Sequence, residues 1–156
     1  MTRVVLVAIA AVVTSSASVH EHQQAAPSRQ SHATVRPSDI TWKPLRPGAE
    51  IAVVSGDPDT AGSPFVMRMR YQGVVQVPPH WHPTDEHITV LTGTFMMGMG
   101  ERPDESAAIE LTGGAYAHVP AKMAHYAWSK GDTVVQVHGI GPFAINYVTP
   151  PAADRK

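Results

Sequence analysis

The sequence predicts an all-β protein, either a sandwich or a barrel, and three observations support this. The chain of 156 residues contains 19 Val but only 4 Leu; β-branched residues favour strands, whereas Leu-rich periodicity is typical of helices. Its 14 Pro and 12 Gly provide frequent turns. Short apolar segments recur at even spacing, with no 3.6-residue pattern of helix length. A closed or double-sheet barrel would also hide the strand edges.

Composition and charge exclude several classes of function. The formal net charge is −1, so we expect neither a nucleic-acid partner nor binding to an anionic membrane surface. The absence of Cys excludes disulfides, thiolate metal sites and cysteine nucleophiles. No dinucleotide-binding or phosphate-binding loop occurs, so no organic cofactor is expected.

The first 17 residues have the three-part pattern of a secretory signal peptide. One basic residue precedes the apolar run Val4–Val13, and small residues follow, with Ser15 and Ala17 at positions −3 and −1 of a cleavage site. The run is far shorter than the roughly 20 residues that a membrane-spanning helix needs. We therefore predict a cleaved signal peptide at residues 1–17, a secreted or periplasmic protein, and no membrane span.

The rest of the chain divides into a tether, one domain and a short tail. Residues 18–38 are rich in His, Gln, Ala and Ser and contain too little apolar surface to fold, so a flexible tether is predicted. Cleavage after Ala17 would expose Ser18-Val19-His20, a sequence that can bind Cu(II) or Ni(II). We assign residues 39–151 to a single barrel domain and 152–156 to a tail.

Turn residues divide the domain into ten predicted strands. Gly-, Pro- and Asp-rich turns, such as Gly56-Asp57-Pro58 and Lys130-Gly131-Asp132, separate nearly all of them. The predicted strands are Glu50–Val54, Phe65–Tyr71, Val74–Val77, Glu86–Leu91, Thr94–Met99, Ala107–Leu111, Ala115–Val119, His125–Trp128, Thr133–His138 and Phe143–Val148.

Two histidines and a glutamate are predicted to share one side of the chain. His80 and His82 are two residues apart, so on an extended segment both point the same way. If the next strand keeps this alternation, Glu86 faces the same side and His87 faces away. His125 begins another predicted strand. Imidazoles and a carboxylate that converge from one face suit a divalent transition metal.

These residues resemble the two sequence motifs of the cupin superfamily. The first motif is matched by His80, His82, Glu86 and Gly93. The second is matched by Gly114, Pro120 and His125. Three positions depart from the pattern: Lys122 replaces a loop Gly, Ser129 replaces a terminal Asn, and Gly73 lies one residue further from His80 than usual. None of these departures removes a metal-ligand position.

The resemblance implies a small, exported, single-domain bacterial cupin. Its fold would be a double-stranded β-helix, the cupin jelly-roll barrel, often assembled as a homodimer. The implied metal ligands are His80, His82, Glu86 and His125, which would hold one divalent transition metal. Fe, Mn, Ni, Zn and Cu are all compatible with these ligands, and four ligands leave two octahedral positions open.

The function is expected to depend on this metal, and the reaction stays open. Our first hypothesis is a metal-dependent enzyme of the cell envelope that acts on a small molecule by oxygenase, isomerase or lyase chemistry. The alternative is a non-catalytic module that binds or senses a small molecule or a metal. A third reading is a metal site that only stabilises the barrel. Catalytic residues cannot be named from the sequence, because fold and metal do not fix a reaction.

Other residues could belong to the same site, and each has two possible roles. His118 and His138 would either orient a ligand or serve structural roles. The methionines Met96, Met97 and Met99 would either bind copper or fill the core. Arg68 and Arg70 share one side of a strand, which would face either an acidic substrate or solvent. The aromatic residues Trp81, Tyr126 and Trp128 are expected on the outer sheet face or at a dimer contact; the other reading places them over a substrate.

Overall fold

The computed structural model describes residues 32–149. The predicted signal peptide, most of the predicted tether and the predicted tail lie outside this range. The boundaries assigned to the domain, 39 and 151, stay a prediction. Among the described residues, no helix is long and apolar enough to cross a membrane.

Eleven strands form two antiparallel sheets, with two short 3-10 turns at Pro37–Asp39 and Glu105–Ala107. The strands are β1 (Lys43–Arg46), β2 (Ala49–Gly56), β3 (Pro64–Tyr71), β4 (Gln76–Trp81), β5 (Glu86–Thr92), β6 (Thr94–Met99), β7 (Ile109–Thr112), β8 (Tyr116–Val119), β9 (His125–Ser129), β10 (Thr133–Ile140) and β11 (Asn146–Tyr147). The larger sheet has the order β1-β2-β3-β10-β5-β8 and the smaller one β11-β4-β9-β6-β7. From β3 onward, all successive strands except β6 and β7 pass from one sheet to the other, as in a jelly roll, so the predicted all-β fold is confirmed.

Alternation along the strands builds the interior. On β10, Val135 and Val137 are completely buried between the sheets, while the residues between them face outward. On β5, Glu86, Ile88 and Val90 are buried and His87 is not, so this strand keeps the predicted side-chain parity. The inner faces of both sheets therefore surround one apolar core that opens into a cavity.

The ends of three predicted strands were wrong. β4 runs through Pro78-Pro79 because its pairing with β9 is irregular between Val77 and His80, where a missing N–H is tolerated. The segment before β7 forms a 3-10 turn instead, which Asp104 caps by accepting a hydrogen bond from the Ser106 amide. Before β11, Phe143 donates its amide hydrogen bond to Pro58, so only Asn146–Tyr147 joins a sheet.

The two motif positions Gly93 and Lys122 both adopt left-handed backbone conformations. Gly93 has φ +80° and lies so close to Asp132 that a Cβ would clash with its carbonyl oxygen. Lys122 has φ 64°, the conformation that explains why the cupin motif carries Gly at this place. The amide of Lys122 donates to the carbonyl of His82 at 2.8 Å, so the turn before β9 is tied directly to the histidine segment.

A methyl group at Gly98 should destabilise the barrel because Tyr126 packs directly on its backbone. An added Cβ would lie 2.2 Å from the Tyr126 ring, whereas at Gly113 the nearest atom would be 3.5 Å away. We expect Gly98→Ala to lower the free energy of unfolding by about 1–3 kcal/mol. Gly113→Ala, the matched control, should change it by less than about 0.5 kcal/mol. Urea denaturation measures both, and equal effects would contradict this packing.

Candidate metal centre

Four buried polar side chains meet inside the barrel, between the two sheets. His80 lies near the end of β4, His82 just beyond it, Glu86 begins β5 and His125 begins β9. Their relative exposures are 4%, 4%, 4% and 1%. His80 and His125 are direct partners in the ladder between β4 and β9. The structure thus brings together all four residues that the sequence singled out as metal ligands.

The donor atoms are spaced as ligands of one ion would be. The three histidines offer nitrogens that all lie within 4.8 Å of one another. Glu86 Oε2 is 3.1 Å from His125 Nε2 and 3.6 Å from His82 Nε2. Two atoms bound to one transition metal at about 2.0–2.2 Å lie about 2.8–3.6 Å apart, depending on geometry. The two distances from Glu86 lie in this range, whereas the histidine nitrogens, which lie within 4.8 Å of one another, would draw together around an ion.

Backbone carbonyls set the tautomer of every histidine in the site. The Nδ1 atom of each ring lies within hydrogen-bond distance of a carbonyl oxygen: His80 with Pro78 at 2.7 Å, His82 with Ala144 at 2.9 Å, and His125 with Met123 at 3.2 Å. A carbonyl only accepts, so Nδ1 must carry the proton. Each Nε2 then presents a lone pair to the centre of the site, as a metal ligand must.

Burial favours the neutral forms of His80 and His82 beside the Glu86 carboxylate. Burial, helped by His125, lowers the pKa of His80 to about 4, and burial also lowers the pKa of His82. Burial alone would raise the pKa of Glu86, but the facing imidazoles, His125 first, hold that pKa below its usual value. Within residues 32–149 no Lys or Arg pairs with Glu86.

This arrangement fits a bound cation. His82 Nε2 and Glu86 Oε2 are buried and have no hydrogen-bond partner among the described residues. A carboxylate in an apolar interior is stable only where it is paired or hydrogen-bonded, and buried polar atoms without partners are rare. A divalent transition metal would satisfy both atoms at once. The residues that would hold it are His80, His82, Glu86 and His125.

The site forms the polar floor of an apolar cavity of about 360 Å³. Strands of both sheets contribute its walls, and their side chains are mainly aliphatic, aromatic and thioether groups. They include Met67, Met69, Ile88, Phe95, Met97, Val135, Val137 and Phe143. Pockets of roughly 300–1,000 Å³ with a few convergent polar groups are typical of small-molecule sites.

Sequence comparison identifies the family. The family described as "ChrR Cupin-like domain" matches residues 30–144, which is most of the chain. The chain belongs to this cupin family. No curated protein matches the sequence at a significant level.

Solved structures share the cupin fold at low sequence identity. The polyketide cyclase RemF from Streptomyces resistomycificus has a TM-score of 0.64 at 18% identity, over 78% of this chain and 89% of that one. An RmlC-like cupin from Shewanella frigidimarina has a TM-score of 0.58 at 13% identity, over 72% and 95%. KdgF from Halomonas sp. has a TM-score of 0.57 at 17% identity, over 71% and 96%. At these identities the likeness shows the fold alone.

Two polar residues at the cavity of this cupin were missed by the sequence analysis. Arg46, at the end of β1, lines the cavity and donates hydrogen bonds to the Gln76 carbonyl and to the Tyr147 hydroxyl. Leu45 and Ile145, which line the same part, are each 43% exposed, so this part is the mouth. β1 has the sequence Lys-Pro-Leu-Arg, which lacks apolar alternation, so no sequence pattern predicted a strand there.

The segment after β10 completes the histidine site and was also missed. The Phe143 ring stacks on the His82 ring, with centroids 4.1 Å apart and an interplanar angle of 14°. The next residue, Ala144, supplies the carbonyl that fixes the His82 tautomer. This segment was predicted as a strand, and its actual role depends on packing across 60 residues of chain.

Because side chains alternate along the strands, most of the other residues considered for the site lie outside the cavity. Met97 lines the cavity, whereas Met96 does not and Met99 is 49% exposed, so the three methionines do not form one ligand set. Arg68 bonds Gln136, and Arg70 pairs with Glu50 and lies over Trp42. Both arginines face outward, opposite the cavity-lining Met67 and Met69.

The remaining aromatic and histidine residues also lie away from the cavity. Tyr126 and Trp128 alternate with the inward residues of β9, their rings parallel, and Tyr126 donates to the Asp104 carbonyl. Trp81 is half-buried, and in the sequence it lies between His80 and His82. His87, His118 and His138 cluster on the outer face of the larger sheet and do not line the metal-centre cavity.

Neutralising Glu86 should abolish the stabilisation of the cupin by metal. Glu86→Gln keeps the size of the side chain but removes the anionic ligand, so the variant should bind metal much more weakly than the parent. At a hundredfold excess over Kd, metal should add about 2.7 kcal/mol to the parent and much less to the variant. Urea denaturation in chelator and in Zn(II) measures both. Equal stabilisation of the parent and the variant by Zn(II) would contradict the role of Glu86 as a ligand.

Proposed function

We propose that this cupin domain is a metal-dependent enzyme that acts on a small, largely apolar molecule. One observation carries the proposal: four buried donors, two with unsatisfied atoms, converge on the floor of a cavity that is otherwise apolar. A purely structural site would be closed by its own ligands, whereas this one faces open space. Three histidines and one glutamate leave coordination positions free on the cavity side.

Different residues of the cavity would bind different parts of the substrate. When bound, the metal would supply a Lewis acid or a redox centre for an oxygen-containing substrate. The apolar walls would hold the body of the substrate and exclude water, which strengthens every electrostatic contact at the floor. Arg46, near the mouth and hydrogen-bonded to Tyr147, would bind an acidic group of the substrate. The preferred substrate is therefore an apolar molecule with one oxygen function near the metal and one anionic group.

Oxygenase, isomerase and lyase chemistry all remain within the proposal. The polyketide cyclase RemF shares this fold, so the barrel is compatible with catalysis. The cavity walls carry no side chain that restricts the reaction to one type. The metal is one of Fe, Mn, Ni, Zn or Cu, because imidazole and carboxylate ligands accept all of them.

A non-catalytic binding or sensing module is the second candidate, and one observation favours it. Besides the four proposed ligands, the titratable side chains that line the cavity are Arg46, Asp59, Tyr71 and Tyr147. Burial raises the pKa of Tyr71, which makes it a poor proton donor near neutral pH, and Asp59 is exposed. Proton transfer would therefore depend on Tyr147 or on the metal site itself.

Metal content of the protein tests the centre. We expect His80→Ala/His82→Ala to bind one equivalent of divalent metal less than the parent, because both Nε2 ligands are removed. His32→Ala, an exposed histidine outside the barrel, is the matched control and should leave the metal content of the barrel unchanged. Elemental analysis after gel filtration gives the numbers. Equal metal in the parent and the double variant would refute the ligand assignment.

Binding of small aromatic acids tests the role of Arg46. We expect Arg46→Gln to weaken benzoate binding about tenfold, since a charge-assisted hydrogen bond is lost, and to leave benzamide binding unchanged. Arg68→Gln, on the outer face, is the matched control. Ligand-observed NMR titration of the metal-loaded protein provides the affinities. A similar loss for benzamide, or the same loss in Arg68→Gln, would remove Arg46 from the proposal.

We also propose that the protein works in the cell envelope, which rests on the sequence pattern of residues 1–17. The mature chain recovered from an envelope fraction should begin at Ser18, and Ala17→Arg should block this cleavage because the −1 position accepts only small residues. Intact-mass spectrometry distinguishes the two forms. An uncleaved parent confined to the cytoplasm would contradict the proposal.

A further inference from the structure

A row of three histidines crosses the outer face of the larger sheet. His138 on β10 is the ladder partner of His87 on β5, and His87 is the partner of His118 on β8. Neighbouring rings are nearly parallel, at 13° and 14°, with centroids 4.9 and 4.8 Å apart. Side chains alternate across a strand, so this row lies on the opposite side of β5 from Glu86.

A carboxylate closes one end of the row. Asp85 Oδ2 is 3.3 Å from His118 Nε2, and Asp85, His87 and His118 each offer a donor atom within 4.8 Å of the others. Two atoms bound to one tetrahedral zinc ion at about 2.0–2.2 Å lie about 3.3–3.6 Å apart. The Asp85–His118 pair therefore already has the spacing of two ligands on one ion.

Hydrogen bonds and stacking hold these side chains in place. His87 Nδ1 lies 2.7 Å from the Tyr116 hydroxyl, and Asp85 Oδ1 accepts from the Ala121 amide at 2.8 Å. The His87 ring is packed between the other two rings. These contacts lower the entropy cost of ordering the side chains around an ion, and the parallel His87 and His118 rings would turn so that their in-plane lone pairs converge on it.

We propose that Asp85, His87 and His118 form a second divalent-metal site on the outer face of the barrel. Two imidazoles and one carboxylate favour Zn(II), Cu(II) or Ni(II) over Mg(II) or Ca(II). A surface depression of about 300 Å³ adjoins Asp85 and His87, and water from the solvent can supply the fourth ligand. His138 positions His87 by stacking and is not part of the donor set; its own Nδ1 is buried without a partner in the described chain.

Zinc binding to the full chain tests this site. The parent should bind two zinc ions, one in each site. His118→Asn and Asp85→Asn should each weaken one of the two binding events at least about tenfold and leave the other unchanged. Asp85→Asn retains an oxygen that can accept from Ala121, so its effect isolates the lost ligand charge. Calorimetric titration gives number and affinity, and thermal midpoints measured without zinc confirm that each variant is folded.

Two controls separate the outer site from its competitors. Arg68→Gln alters the outer face of the same sheet outside the histidine row and should keep both binding events. His20→Ala/His22→Ala/His32→Ala removes the histidines of the predicted tether and should do the same. Unchanged zinc binding in both His118→Asn and Asp85→Asn would overturn the proposal, as would loss of the second ion only in the tether variant. NMR signals of the His118 ring that move on zinc addition would support the outer site even if the inner site failed to bind.

Discussion

The ionised carboxylate of Glu86 is enclosed in an apolar barrel, and the neighbouring structure is arranged around that charge. No Lys or Arg among the described residues pairs with it. Three imidazoles face it instead, each with Nδ1 within hydrogen-bond distance of a backbone carbonyl. In the tautomers that these carbonyls favour, the inward Nε2 atoms are acceptors, as is the carboxylate, so neutral imidazoles give Glu86 no hydrogen bond. A cation that accepts all four donors resolves this conflict.

The same requirement explains why distant parts of the chain meet here. The carbonyl that fixes His82 comes from Ala144, beyond the last long strand, and Phe143 covers the ring. The turn before β9 is tied to the His82 carbonyl through Lys122, which accepts a left-handed conformation to make that contact. β5 places Glu86 inside and His87 outside, so one strand contributes to both proposed metal sites. The left-handed Lys122 conformation and the most buried polar side chains therefore lie next to the four proposed ligands.

The sequence predicted the parts of this arrangement that depend on local alternation. Spacing alone placed His80, His82 and Glu86 on one side and His87 on the other, and the motif added His125; their binding of a metal stays a prediction. The roles of Arg46, Phe143 and Tyr147 were not predicted because they arise from contacts between residues 30 or more positions apart in the chain. The outer row escaped for the same reason: His87, His118 and His138 were weighed one by one, and only the strand register makes them neighbours.

Anomalous diffraction from crystals of the metal-loaded protein tests the central claim most directly. Data collected on both sides of the absorption edge of the bound metal locate the ion without any assumption about its ligands. The account predicts an anomalous peak about 2.0–2.2 Å from the Nε2 atoms of His80, His82 and His125 and from a Glu86 oxygen. A fully loaded protein without a peak among these four side chains would contradict it, whatever other sites the crystal revealed.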